Sequence, residues 1–199
     1  GVIGTAPKTK IYAIRYRYVR EWGAAETIAK GIRWAVDQGM PIISISGGVH
    51  GNYSNLYSAC KYAYDRQRLI IAAAGNENSS ISYPAAYDEY VVAVGAVYPN
   101  DTRWNPGFDE GSNFGPELDF VAPGVDINST VLNGGYGLKY GTSVACPHVA
   151  AVAALIWSSK IDQEYDFYRD NDLWDRDEVL AKLHHLALDL GPPGKDNEY

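Results

Sequence analysis

The sequence predicts an α/β fold, a mostly parallel central sheet with helices on both faces. Two observations predict it. Segments of helical periodicity alternate with short strand-like runs, and two of those runs are apolar throughout, without the polar alternation of a sheet that has one wet face. Strands joined through helices pair in parallel, and right-handed crossovers place the helices over both faces.

Residues 10–15 alternate and read as the first strand. Residues 23–38 place Ala24, Ile28, Ile32, Ala35 and Val36 on one face at helical spacing. The run 41–46 (PIISIS) is a short β-branched strand, and a helix comes next around 53–65. Residues 69–74 (LIIAAA) and 91–97 read as strands covered on both faces, and after them comes a loop over 98–116 rich in Asn, Gly, Pro and Asp. Residues 118–122 and 127–130 are further short strands, and a helix built on AAVAALI is expected over 142–158. The acidic, aromatic stretch 161–177 reads as a solvated surface insertion, with a last helix over 178–188. No repeat or linker divides the chain, so residues 1–199 are expected to form one domain.

Its 199 residues suit a single domain of ~100–200 residues. Apolar residues make up 46% and charged residues 21%, ordinary for a soluble globular protein. With 24 acidic against 17 basic residues and no basic stripe, the charge argues against nucleic acid and anionic membrane as partners. No apolar run reaches the ~18 residues of a membrane span; the stretch 144–157 is interrupted by Pro147 and His148. The first residues carry no signal-peptide pattern and read as the middle of a domain. Two cysteines, Cys60 and Cys146, cannot build a disulfide framework; buried thiols are the plain reading, a bridge or a reactive thiol the alternative.

The residues that carry chemistry cluster at 141–148, Gly-Thr-Ser-Val-Ala-Cys-Pro-His. A hydroxyl nucleophile needs a tight turn that a carbonyl can approach. Gly141 widens the conformations open to that turn. Ser143 falls at the start of an apolar helix, where free N–H groups and the positive dipole end favour negative charge. Pro147 is read as lying in the first turn, where its missing N–H costs no hydrogen bond. A lone Ser before a helix is as a rule an N-cap, but eight residues in register are more specific than that.

The octet resembles the nucleophile motif of the subtilisin-like serine proteases (subtilases, peptidase S8), G-T-S-x-A-x-P-H-V. Ala72-Ala73-Ala74-Gly75-Asn76-Glu77 resembles that family's oxyanion-loop motif, and Ser82-Tyr83-Pro84, Val94-Gly95-Ala96 and Val121-Ala122-Pro123-Gly124 match it in the same order. The resemblance covers nearly the whole chain. It implies the three-layer subtilisin-like fold, with a cis bond before Pro84, and a serine endopeptidase that works through an acyl-enzyme on Ser143. It makes Asn76 the oxyanion-hole side chain, with the Ser143 backbone N–H as second donor, so that preorganised donors meet the charge of the tetrahedral intermediate. It assigns Ser46, Gly47 and Gly48 to the strand that pairs with the substrate backbone. Ala73, Ala74 and Gly75 form the other wall of the primary pocket, with Ser82 and Glu77 near its base. Many relatives carry Leu where this chain has Gly47, which sets apart the apolar subsite beside it.

A Ser nucleophile needs a base, and the base an orienting carboxylate. Subtilases take them from an Asp-Ser/Thr-Gly turn and a His-Gly-Thr-x-Val-Ala-Gly helix, and neither motif occurs in these residues. Residues 1–7 resemble the stretch just after that His helix, so the expectation is a domain cut at its N-terminus, slightly cut at its C-terminus, and inactive by itself. His50, His148, His184 and His185 offer no substitute base, and Asp109-Glu110-Gly111 resembles the Asp turn only superficially. The resemblance implies no cofactor for the chemistry. It leaves structural calcium open, including a weak cation site on Asp119 with carbonyls near Ala85 and Tyr87. Expected partners are a polypeptide substrate and an N-terminal propeptide or inhibitor, in a secreted or extracellular setting with an intracellular one left open. The alternative is a non-catalytic pseudoprotease that binds peptides or serves as a structural domain. A nucleotide-binding reading fails because no Gly-rich phosphate loop comes after the first strand.

Overall fold

Four parallel strands form the central sheet in the order β1 (Ile42–Ile45), β2 (Leu69–Ala73), β3 (Val91–Val97) and β4 (Leu118–Pro123). The structure, a computed structural model, describes residues 2–16, 21–160, 174–191, 194 and 197–199. Helices α1 (Glu21–Asp37) and α2 (Ser54–Tyr64) cover one face; α3 (Thr142–Ser158) and α4 (Arg176–Leu186) cover the other. The period of two along β2 divides the core. Ile70 and Ala72 pack with α1 and α2, while Leu69, Ile71 and Ala73 pack with α3 and α4. A strand greased on both sides has no place for polar residues, which is why β2 and β3 read as unbroken apolar runs. The predicted α/β fold is the one observed, and the Tyr83–Pro84 bond is cis.

Four expectations need correction. Residues 10–15 form no strand: Ile11 is 88% exposed, and the segment is separated from the outer edge of β1 by a groove of about 170 Å³. Their alternation is real, but a strand also needs a ladder partner, and no described strand stands beside them. Part of the stretch expected to be a solvated insertion is core. Trp174 is buried and donates its Nε1–H to Ser159, and Asp175 forms a capping box with Glu178 that starts α4 at Arg176. The rest of that insertion, 161–173, lies outside the described residues. A strand not anticipated, β6 (Tyr136–Lys139), pairs antiparallel with β5 (Ile127–Thr130). Pro147 lies in the second turn of α3, so the bond it cannot make is the one to the Ser143 carbonyl.

Asp119 has a structural part in the sheet. It is the extra residue of a bulge in β4, between Leu118 paired with Ala93 and Phe120 paired with Val94. Its Oδ2 accepts the Ala93 N–H at 2.8 Å, a donor that the register shift would otherwise strand. Among the described residues no three His, Cys, Asp or Glu side chains group to hold a metal ion.

This packing predicts two measurements. Asp119→Ala should cost about 1–3 kcal/mol of unfolding free energy, read as a lower urea midpoint at unchanged slope, because it leaves the Ala93 N–H unpaired. Burial pushes the Cys60 thiol up to about 12 and the Cys146 thiol up to about 11. Both should therefore ignore a thiol reagent at pH 8 in the native protein and react once it is unfolded in urea. Above about pH 9 the unfolded chain sheds thiol protons that the native chain keeps, so stability should fall as pH rises further.

Candidate active site

The end of β2 and the start of α3 meet at one spot. Gly141, with φ +116°, turns the chain into α3, and its N–H is held by the Gly124 carbonyl at 2.8 Å. A side chain would strain that backbone and bring a Cβ within 3.2 Å of Asn76 Oδ1. Thr142 and Ser143 are then the first two helical residues, Thr142 buried and Ser143 half-buried. Among the described residues the Ser143 N–H makes no hydrogen bond, as the first turn of a helix requires.

Asn76 is anchored to this turn across 66 positions of sequence. Its Oδ1 accepts the Thr142 N–H at 2.8 Å and the Thr142 Oγ1–H at 2.9 Å. Two donors converging on one atom identify that atom as the oxygen, which leaves the Nδ2 amide protons facing the other way. Thr142 Oγ1 in turn accepts the Gly75 N–H at 3.1 Å. Sequence reasoning passed over Thr142 although it lies inside the octet, because a threonine at a helix start looks like an ordinary terminal residue.

The two walls assigned from sequence lie on adjacent strand ends, since β1 and β2 are neighbours. Ser46 and Gly48 are exposed and Gly47 half-buried; just beyond them Val49 and Tyr83 exchange backbone bonds of 2.8 and 2.9 Å. Ala73 and Ala74 are buried, and the Ala74 carbonyl accepts the Ser82 N–H at 2.8 Å, which brings the 82–84 segment under the wall. Gly75, at φ +111°, is packed from below: a Cβ would strike the Asn113 side chain and lie 2.8 Å from both Glu77 Oε2 and Ser82 Oγ. Glu77 is exposed, yet its Oε2 turns back onto the loop and accepts the Asn76 N–H at 2.9 Å and Asn113 Nδ2 at 2.8 Å. Asn113 was not anticipated. It sits in the polar 98–116 loop, where nothing in its neighbours marks it as buried.

Gly47 lies against Tyr16. A Cβ at Gly47 would overlap the Tyr16 hydroxyl and come within 3.2 Å of its Cζ, so a side chain there would have to displace the phenol. His148 binds the Val144 carbonyl of its own helix through Nδ1 at 2.9 Å, His184 stacks at 4.6 Å on Phe120, and His50 and His185 are exposed.

A parallel α/β sheet whose strand ends deliver a serine and a clamped amide to one place has the layout of a serine hydrolase. The model of the subtilase family (peptidase S8) matches residues 1–199, and the chain belongs to that family. It is 37% identical over 192 residues to subtilisin BL of Lederbergia lenta, covering 96% of this chain and 65% of the relative. It is 37% identical to a thermostable alkaline protease of Halalkalibacterium halodurans, covering 97% of this chain and 49% of the relative. Against subtilisin DY of Bacillus licheniformis the identity is 42%, over 79% of this chain and 57% of the relative. The chain thus spans between half and two thirds of the length of these relatives.

The anchor can be tested through stability alone. Thr142→Val keeps the shape and removes the hydroxyl, leaving the Gly75 N–H unpaired. Urea unfolding should show a loss of about 1–2 kcal/mol, where a surface position would show almost none.

Proposed function

We propose that the protein containing this chain is a serine endopeptidase that hydrolyses polypeptides through an acyl-enzyme on Ser143. The observation that carries this reading is the double anchor of Asn76 Oδ1 on Thr142, because it ties the amide to the residue before the serine and, among the described residues, leaves its protons without an acceptor. In the first step Ser143 Oγ attacks the scissile carbonyl and gives its proton to a base. Negative charge then develops on the former carbonyl oxygen, where Asn76 Nδ2 and the Ser143 N–H meet it. Both donors are fixed beforehand, so little reorganisation is needed as the charge forms. Collapse of the intermediate expels the amine, which takes the proton from the base, and water repeats the sequence on the acyl-enzyme. No cofactor enters these steps.

Ser46, Gly47 and Gly48 on one side and Ala73, Ala74 and Gly75 on the other hold the substrate in this reading. Main-chain bonds supply affinity and the pocket above Ser82 and Glu77 supplies preference. A propeptide or protein inhibitor would occupy the same cleft, and a secreted or extracellular setting fits such a peptidase. The base and its carboxylate come from residues outside these 199. The groove between β1 and residues 12–16, lined by Tyr12, Ile14, Tyr16 and Ile42–Ile45, runs along the edge of β1 that no described strand pairs, where an extended segment would add to the sheet. The absence of both motifs here also favours a second reading, a peptide-binding pseudoprotease, if the full-length protein lacks them too.

An active-site fluorophosphonate should label the full-length protein at Ser143, alongside turnover of casein, and Ser143→Ala should abolish both. The 199-residue chain alone should show neither. A full-length protein that is neither labelled nor active would leave the pseudoprotease reading in place of this one.

A further inference from the structure

Asn113 reaches every part of the segment that walls and floors the primary pocket. Its backbone N–H donates to the Gly75 carbonyl at 3.0 Å. Its Oδ1 accepts the backbone N–H groups of Glu77 at 2.9 Å and Ser79 at 3.1 Å. Its Nδ2 donates to Glu77 Oε2 at 2.8 Å and to the Ala74 carbonyl at 3.2 Å, with Ser82 Oγ at 3.5 Å. A primary amide has two N–H groups and two lone-pair directions, and all four are engaged. At 1% exposure the side chain cannot touch a substrate.

The consequence falls on Glu77. An exposed carboxylate on a loop samples several rotamers, and fixing it against a cation loses entropy, which is why exposed ion pairs contribute so little. Here one oxygen, Oε2, is already held by Asn113 Nδ2 and the Asn76 N–H. The other, Oε1, makes no hydrogen bond among the described residues and stays open to solvent. The carboxylate is thus oriented before any ligand arrives, at the cost of one buried amide.

We propose that Asn113 is a positioning residue for substrate selection: it locks Glu77 as an oriented acceptor at the primary pocket, so that preference for a cationic side chain depends on a residue the substrate never meets. This rests on the peptidase reading for the identity of the pocket, but its test does not require turnover.

The test titrates benzamidine, and its neutral analogue benzamide, into the full-length protein by calorimetry. The wild type should prefer benzamidine by about 3–5-fold, the scale of one exposed charge pair. Glu77→Gln should bring the ratio close to one, Asn113→Ser should do the same, and the double variant should go no further. A merely structural role would weaken both ligands alike and leave the ratio intact, so a ratio that survives Asn113→Ser overturns the proposal. So does a wild type with no preference. Should Asn113→Ser fail to fold, the wild type still decides by NMR. The Asn113 side-chain amide resonances should move with benzamidine and stay in place with benzamide; if they do not move, the proposal falls. A protein that hydrolyses nothing yet keeps the benzamidine ratio would defeat the peptidase reading and leave Asn113 standing.

Discussion

The joint between Thr142 and Asn76 is the interaction on which the candidate site depends. It ties the end of a central strand to the first residue of the helix that covers the opposite layer, with 66 positions of chain between them. Neither half can serve alone. A loop amide whose oxygen has no fixed donor to hold it rotates, and a helix start without a neighbouring amide has only its own N–H groups to offer an anion. The threonine hydroxyl also takes the Gly75 N–H, so the same side chain sets the direction in which the loop leaves β2. Fold and site are therefore coupled through one buried hydroxyl.

The parallel sheet makes that coupling possible. All four strands point the same way, so the segments leaving β1, β2 and β4 emerge on one side of the molecule. The 46–48 segment, the 74–77 loop and Gly124 are these exits, and Gly124 holds Gly141 through its carbonyl. A crevice at the carboxyl ends of parallel strands is where open α/β sheets place their ligands, for this geometrical reason.

How much was legible in the sequence depended on the physics of each signal. β2 and β3 were legible because burial on both faces writes itself as an unbroken apolar run, and α3 because its 17 residues exceed the length of a strand. The alternation of residues 10–15 was read correctly as a pattern and wrongly as a strand, since pairing depends on a neighbour that a local pattern cannot reveal. β6 was missed because Tyr136–Lys139 lies on the surface, where neither face need be apolar. Ser143 and Asn76 were legible through motif resemblance, whereas Thr142, Asn113 and Tyr16 act through contacts made 31 to 67 positions away. Such partnerships leave no trace at the residue itself. Gly47 did show an absence, but the phenol that lies against it is on another segment.

The bond between the Gly141 N–H and the Gly124 carbonyl closes the base of an excursion, residues 125–140, that carries the β5–β6 hairpin. Everything within the excursion hangs from a fixed neck. The chain can therefore grow, shrink or exchange that hairpin without moving the serine turn, because loop-closure cost rises only slowly with length. For engineering, the excursion is a graft site: a recognition element inserted at its tip would hang from a neck that keeps the register of α3.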